Sequence, residues 1–145
     1  MAVLLLDSSI WLAARDTRDP GHAAALAVVT TTDHDLAALD LSLYETGNVP
    51  ISKWHSPDDA YTLHDVIFAA VGSRLIAIDR ELHRTALDLA VKHNLTVYDA
   101  GYAAAQSLHG ATLVSLDSDL LDPGLAIHPA AVPTLSTAAD LTGGV

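Results

Sequence analysis

The fold is indicated most clearly by the stretch Val3-Leu4-Leu5-Leu6-Asp7-Ser8-Ser9, in which four apolar residues precede one acid and two serines. A short, continuous apolar run of this kind is typical of a strand buried on both faces of a parallel sheet. The Asp-Ser-Ser segment that follows contains residue types that begin helices. We therefore predict that a buried first strand, Val3–Leu6, runs directly into a helix.

The same change from apolar run to helical pattern recurs along the chain. Further strands are predicted at residues 36–39, 75–78, 96–98 and 111–116. Helices are predicted to begin at Asp19-Pro20, Asp40, Ser56-Pro57, Arg80 and Asp99, with ends at Gly72, Asn94 and Gly110. This alternation predicts an α/β fold with a central, mainly parallel sheet of four to five strands, covered by helices on both faces. We expect a single domain over residues 1–145, with residues 128–145 as a flexible tail.

Isolated acidic residues mark a candidate site. Asp7, Asp99 and Asp117 each follow a predicted strand, while Glu45 and Asn48 share one face of a predicted helix. The carboxyl ends of parallel strands meet at one edge of the sheet, where ligands bind, so the three aspartates are expected to converge. Carboxylates brought together repel each other unless a cation joins them, and their oxygens suit Mg²⁺ or Mn²⁺. The sequence therefore predicts a metal-dependent enzyme.

Other interpretations of these residues are open. Asp7 and Asp99 could instead be N-caps of the helices that follow them. Asp117 and Asp119 compete for one position in the site, and Asp117 is favoured because it follows the strand directly. A zinc site is not predicted, because none of the eight histidines has the spacing of a recognised zinc motif and the chain has no cysteine.

The composition limits the classes of protein to consider. The formal net charge is −11, from 18 acidic and 7 basic residues, which argues against a basic nucleic-acid-binding face and favours a basic partner. No uncharged apolar stretch approaches the roughly 20 residues that span a bilayer, so no membrane association is expected. The absence of cysteine excludes disulfides and a thiol nucleophile, and a cytoplasmic location is expected.

Four segments together resemble the motifs of the PIN-domain family, and more narrowly the toxins of VapBC-type toxin–antitoxin pairs. They are Leu4-Leu5-Leu6-Asp7-Ser8-Ser9, Leu43-Tyr44-Glu45-Thr46-Gly47-Asn48-Val49, Leu95-Thr96-Val97-Tyr98-Asp99-Ala100-Gly101-Tyr102-Ala103-Ala104 and Leu113-Val114-Ser115-Leu116-Asp117-Ser118-Asp119-Leu120. Their order and spacing over residues 3–127 are similar to those of the family. Ser115 stands where threonine is more usual, and Ser118 and Asp119 follow Asp117 where many relatives have a basic residue.

The resemblance implies a PIN-like three-layer α/β/α sandwich and an endoribonuclease, dependent on Mg²⁺ or Mn²⁺, that cuts a structured RNA such as tRNA or rRNA. It also implies inhibition by a cognate antitoxin protein and a homodimer. Asp7, Glu45, Asp99 and Asp117 would be the catalytic residues. Asp7, Asp99 and Asp117 would bind the metal, with Glu45 holding a water or a second ion. Ser9, Asn48, Ser115 and Asp119 would be auxiliary.

Alternative functions can be compared on single residues. A haloacid-dehalogenase-type site needs a second aspartate at position 9, where Ser9 occurs. A phospho-receiver domain needs a lysine after a late strand, and neither Lys53 nor Lys92 follows one. The remaining alternative is a PIN-like metal-binding module that has no nuclease activity and acts through protein partners.

Overall fold

The chain forms four short strands and seven α-helices over residues 2–132, the part that the computed structural model describes. The strands are β1 (Val3–Leu6), β2 (Asp35–Leu39), β3 (Leu75–Ile76) and β4 (Thr112–Val114). The helices are α1 (Ser8–Arg15), α2 (His22–Val29), α3 (Leu41–Ser52), α4 (Pro57–Val71), α5 (Arg80–His93), α6 (Val97–His109) and α7 (Ser118–Leu121), followed by a 3₁₀ helix at Pro129–Ala131. Within this part of the chain, no helix has the length and apolar character needed to cross a membrane.

The four strands form one parallel sheet in the order β3-β2-β1-β4. Leu4 is aligned with Leu36 of β2 on one side and with Thr112 of β4 on the other. Strands β2 and β3 therefore extend the sheet on one side of β1, and β4 pairs with β1 on the other side. Ligands of open parallel sheets bind where the strand order reverses in this way, outside the carboxyl ends of the strands. In this fold, that position is the boundary between β1 and β4.

The sheet has a helical layer on each face. Side chains of β1 alternate between the two layers, as the pleat of a strand requires: Leu4 and Leu6 face one, and Leu5 faces the other. The first layer contains buried residues of α1, α2 and α4, and the second contains buried residues of α5, α6 and α7. The predicted three-layer α/β/α sandwich is thus confirmed, with four strands that are all parallel.

One predicted strand is wrong, with consequences for the site. Residues 96–98 were expected to be extended because Thr96, Val97 and Tyr98 are β-branched or aromatic, but Val97 and Tyr98 lie in the first turn of α6. The hydroxyl of Thr96 accepts a hydrogen bond from the Asp99 N–H at 3.1 Å, and this N-cap begins the helix. Asp99 therefore lies in the first turn of a helix and does not end a strand.

Other element ends differ by smaller amounts. Helix α2 begins at His22 instead of Pro20, because the Asp19 carboxylate accepts from the Gly21 N–H at 2.7 Å and closes a turn before the helix. Strand β3 ends at Ile76. The helix ends predicted at Gly72, Asn94 and Gly110 are confirmed, each with a positive φ. Of the predicted flexible tail, residues 129–131 form a 3₁₀ helix and Val132 is buried, while residues 133–145 lie outside the described part.

Candidate active site

Asp7 lies at the end of β1, where it is the N-cap of α1 and only 4% exposed. Its Oδ1 accepts hydrogen bonds from the Ser9 hydroxyl at 2.5 Å and from the Ile10 N–H at 3.3 Å. Its Oδ2 accepts from the hydroxyl of Ser115, which follows β4. The helix-capping role and a position at the sheet edge thus coincide in one residue.

The hydrogen bonds to the Asp7 carboxylate do not fully offset the effect of burial on its pKa. Burial raises the pKa of Asp7 to about 6, although donation from Ser115, Ser9 and the Ile10 N–H lowers it, and the nearby charge of Asp117 raises it slightly. A buried carboxylate with this pKa is stabilised in its charged form when a cation lies beside it. The electrostatics of Asp7 therefore favour a bound cation.

Three further acids lie together, and one of them, Asp117, is near enough to act on the pKa of Asp7. Asp99, Asp117 and Asp119 each offer a carboxylate oxygen, and these oxygens lie within 4.8 Å of one another. Asp117 is the N-cap of α7, and its Oδ1 accepts from the Asp119 N–H at 2.9 Å, which fixes the two acids relative to each other. Asp99 comes from the first turn of α6. The short helix α7 and the long helix α6 thus present carboxylates to the same point.

Burial and the neighbouring acids both act on the pKa of Asp99. Burial, together with the charges of Asp117, Asp119 and Glu45, raises the pKa of Asp99 to about 6 against the opposing hydrogen bond from Thr96. Hard oxygen donors with this spacing match the ligand preference of Mg²⁺ and Mn²⁺. The residues present therefore fit a divalent metal ion, which the group of Asp99, Asp117 and Asp119 could hold.

Glu45 enters the site from α3 and is hydrogen-bonded to a residue that sequence reasoning did not identify. The Tyr102 hydroxyl of α6 donates to Glu45 Oε1 at 2.5 Å. Burial and the adjacent Glu45 charge together raise the pKa of Tyr102 far above its ordinary value, so the phenol is neutral and donates. The available signal was a single large polar residue in the small-residue run from Ala100 to Ala105.

The remaining predicted residues fall into two groups. Ser9 and Ser115 both contact Asp7, and Asp119 joins Asp99 and Asp117, whereas Asp7 is not part of that group of three. Asn48 is exposed, and its Oδ1 accepts from the Ser52 hydroxyl at 2.9 Å on the same helix. The structure thus brings Asp119 into the acidic group and leaves Asn48 bonded within α3.

A groove of about 660 Å³ adjoins the site on the side of α1 and α2. Its lining includes Ser9 and Leu116, which are close to Asp7 and Asp117 in the chain, together with Lys53, Trp54, His128 and the acids Asp16 and Asp19. Gly21 also lines the groove, and a Cβ added there would lie 2.6 Å from the Leu116 side chain. The groove thus combines one cationic side chain, two aromatic rings and two carboxylates.

Comparisons with known proteins agree with the geometry. PAE2754 from Pyrobaculum aerophilum is 28% identical over 95% of this chain and 99% of its own, with a TM-score of 0.67. VapC20 from Mycobacterium tuberculosis, described as a Sarcin-Ricin loop cleaving toxin, is 19% identical over 83% of this chain and 95% of its own, with a TM-score of 0.71.

A toxin–antitoxin assembly is also similar in fold. VapBC2 from Rickettsia felis, solved with a promoter DNA fragment, matches with 16% identity over 87% of this chain and 96% of that chain, with a TM-score of 0.61. No curated protein matches the sequence significantly. The family model described as PIN domain matches residues 4–124, which contain both central strands and all the acids described above. The chain belongs to the PIN domain family.

Proposed function

We propose that this chain is a metal-dependent endoribonuclease and the toxin of a VapBC-type toxin–antitoxin pair. The observation that carries the proposal is the convergence of Asp99, Asp117 and Asp119 where the strand order reverses, with Asp7 buried beside them. An acidic site at this position of a PIN domain is suited to hydrolysis of a phosphodiester. We propose that the chain is a single domain.

Mg²⁺ or Mn²⁺ is the proposed cofactor, and Asp7, Asp99, Asp117 and Asp119 are the residues that would hold it. When bound, such an ion lowers the pKa of water and offsets negative charge that develops on the phosphorus oxygens. Asp7, Glu45, Asp99 and Asp117 are the proposed catalytic residues. Asp119 assists Asp117, to which it is joined through its own N–H.

The protein groups have separate tasks in this proposal. The hydroxyls of Ser9 and Ser115 fix both oxygens of Asp7, so that this buried carboxylate keeps one orientation. Glu45 has one oxygen bonded to Tyr102, and its other oxygen is available to accept a hydrogen bond from the attacking water. The groove with Lys53 and Trp54 gives the RNA strand a path to the acids.

Structured RNA, tRNA or rRNA, is the proposed substrate class. It is supported by the similarity in fold to a toxin that is named for cleaving the sarcin–ricin loop. The partner proposed to inhibit the enzyme is a cognate antitoxin, supported by the similarity in fold to chains of toxin–antitoxin complexes. The formal net charge of −11 suits a basic antitoxin segment, whose arginine would pair with the site carboxylates. A homodimer and a cytoplasmic location complete the proposal.

One observation favours the alternative, a PIN-like metal-binding module without nuclease activity. Few basic residues are available for RNA phosphates. Arg15, Arg18 and Arg84 form ion pairs with Asp59, Asp16 and Asp88, and Arg74 donates to the backbone carbonyls of Leu36 and Ala70. Over residues 2–132, this leaves Lys53, Arg80 and Lys92 with neither an ion pair nor a side-chain hydrogen bond. A module that binds a basic partner needs no such contacts.

The deciding experiment is incubation of the purified protein with total tRNA and rRNA in Mg²⁺, Mn²⁺ or EDTA. The matched control is the Asp7→Asn, Asp99→Asn double variant, checked for folding by circular dichroism. Discrete cuts that require the metal and vanish in the double variant would support the nuclease. Intact RNA with the wild-type protein, together with measurable Mn²⁺ binding, would overturn the nuclease and favour the binding module.

A further inference from the structure

Tyr102 is a large polar residue in a buried segment of α6 that is otherwise built from small side chains. Ala100, Gly101, Ala103, Ala104 and Ala105 of α6 are all buried, and Tyr102 is only 2% exposed among them. Its ring packs in the core on the side of α5 and α6. The small neighbours let α6 lie close to the sheet, so the ring of Tyr102 is fixed by packing.

The hydroxyl of this buried ring contacts an acid of the candidate site. It donates to Glu45 Oε1 at 2.5 Å, joining α6 to α3 although the two residues are 57 positions apart. Tyr102 also lies three residues after Asp99, on the same face of α6. A single helix thus supplies one carboxylate of the acidic group and the hydrogen-bond donor that holds another acid near it.

Glu45 needs such a donor, because its neighbours are negatively charged. The charge of Glu45 acts on Asp99, and Asp99 also lies beside Asp117 and Asp119. Repulsion from these groups would turn a free glutamate side chain on α3 toward solvent. A neutral phenol, which donates one hydrogen bond and brings no charge, opposes this movement and occupies only one of the two carboxylate oxygens.

We propose that Tyr102 is a positioning residue, which holds Glu45 toward the metal site and leaves Glu45 Oε2 free for a water or an ion. The inference rests on the proposed function only in taking the acidic group as a metal site. A purely structural role is the competing explanation, in which the ring fills the core and the hydroxyl merely satisfies Glu45. The two explanations differ in what loss of the hydroxyl alone does to metal binding.

The test compares Tyr102→Phe with wild type, since phenylalanine keeps the ring and removes only the donor. Tyr61→Phe is the matched control, because Tyr61 is 73% exposed on α4. We expect Mn²⁺ affinity, measured by calorimetry and by electron paramagnetic resonance, to fall about tenfold in Tyr102→Phe, as for other residues that orient metal ligands. The melting temperature in EDTA should change little, and the control should match wild type.

A double-mutant cycle then tests whether Tyr102 acts through Glu45. In the Glu45→Ala background, Tyr102→Phe should cause no further loss of Mn²⁺ affinity. Equal Mn²⁺ affinity in Tyr102→Phe and wild type would overturn the inference, as would an additive loss in the double variant. RNA cleavage is not needed for either measurement. A wild-type protein that binds Mn²⁺ without cutting RNA would therefore refute the nuclease and still decide the role of Tyr102.

Discussion

The hydroxyl of Ser115 donates to Asp7 Oδ2 and accepts from the Asp117 N–H at 2.9 Å, so one side chain joins two acids of the site. Ser115 and Asp7 are 108 positions apart in sequence, and they follow the neighbouring strands β4 and β1. The position of the Asp117 backbone is therefore tied to a buried carboxylate near the other end of the sequence. A change at Ser115 should affect stability and metal binding together.

We predict that Ser115→Ala lowers the free energy of unfolding by about 1–3 kcal/mol at neutral pH, because it removes a hydrogen bond from a buried carboxylate. Urea unfolding in EDTA measures this change. Ser107→Ala serves as the control, because Ser107 is exposed on α6. An unfolding free energy equal to that of wild type would mean that Ser9 and the Ile10 N–H suffice for Asp7.

The metal-free protein should lose stability as the pH rises from about 4 to about 6. The pKa values of Asp7 and Asp99 are raised to about 6 in the folded protein from an ordinary value of 3.8. The folded state therefore binds more protons than the unfolded state in this window, and the free energy of unfolding falls with increasing pH. For the buried Asp7 the loss is on the order of 3 kcal/mol.

Urea titrations in EDTA at several pH values test this dependence, and added Mn²⁺ should reverse the loss above about pH 6 because it favours the ionised carboxylates. Asp16 and Asp59 have pKa values lowered chiefly by hydrogen bonds from Arg18 and Ser56, respectively, and act in the opposite direction. Their contribution is lost only as the pH falls through the ordinary carboxyl range, below the window measured. A free energy of unfolding that rises between pH 4.5 and 6 would contradict the prediction.

Asp99→Asn should stabilise the metal-free protein while it weakens metal binding. The substitution removes one of several like charges, so the free energy of unfolding in EDTA at neutral pH should rise by on the order of 1 kcal/mol. The gain in melting temperature on adding Mn²⁺ should be smaller than in wild type, because that gain depends on affinity. A variant less stable than wild type in EDTA would show that Asp99 has a structural role.

The separate contributions of Asp117 and Asp119 can be measured with single variants. Both carboxylates belong to the acidic group, so Asp117→Asn and Asp119→Asn should each weaken Mn²⁺ binding. Asp117→Asn should have the larger effect, because Asp117 is partly buried and its charge acts on both Asp7 and Asp99, whereas Asp119 is exposed. Asp122→Asn is the matched control, an exposed acid directly after α7. An unchanged Mn²⁺ affinity in Asp119→Asn would show that the Asp119 carboxylate is solvated and does not bind the metal.

Binding of the antitoxin should weaken markedly with salt if a basic segment enters the acidic site. Raising the ionic strength from about 0.05 M to about 0.5 M shortens the range of electrostatic attraction severalfold. Titration calorimetry at both salt concentrations measures the effect. Affinity that is independent of salt would instead indicate apolar contacts, for which Tyr44, Tyr61 and Phe68 on α3 and α4 are the exposed candidates.

Much of the fold could be predicted because its signals are local. The apolar run before Asp7 becomes a strand buried on both faces, and Gly72, Asn94 and Gly110 end helices through a positive φ. The segment 96–98 could not be assigned in this way, since its residue types favour a strand. The hydrogen bond from the Asp99 N–H to the Thr96 hydroxyl begins a helix there, and packing of α6 against the sheet stabilises that helix.

The acids of the candidate site can be picked out from the sequence, whereas their arrangement in space cannot. Asp7, Glu45, Asp99 and Asp117 were identified from their positions after apolar runs or on a helix face. The pairing of Tyr102 with Glu45 and the joining of Asp119 to Asp99 are long-range contacts, which no local pattern encodes. For Asn48, the local pattern is misleading. Its helical spacing from Glu45 fits a shared site, but its side chain accepts a hydrogen bond from Ser52.

The sheet order β3-β2-β1-β4 determines when during synthesis the acids can meet. Strand β1 emerges first, yet the edge beside Asp7 is completed only by β4 and α7, which carry Ser115, Asp117 and Asp119. A nascent chain that has extended only through α6 holds Asp7, Glu45 and Asp99 without the residues that close the site. A chain that ends after α6 therefore lacks two of the three acids of the group formed by Asp99, Asp117 and Asp119, and it should lack the proposed activity.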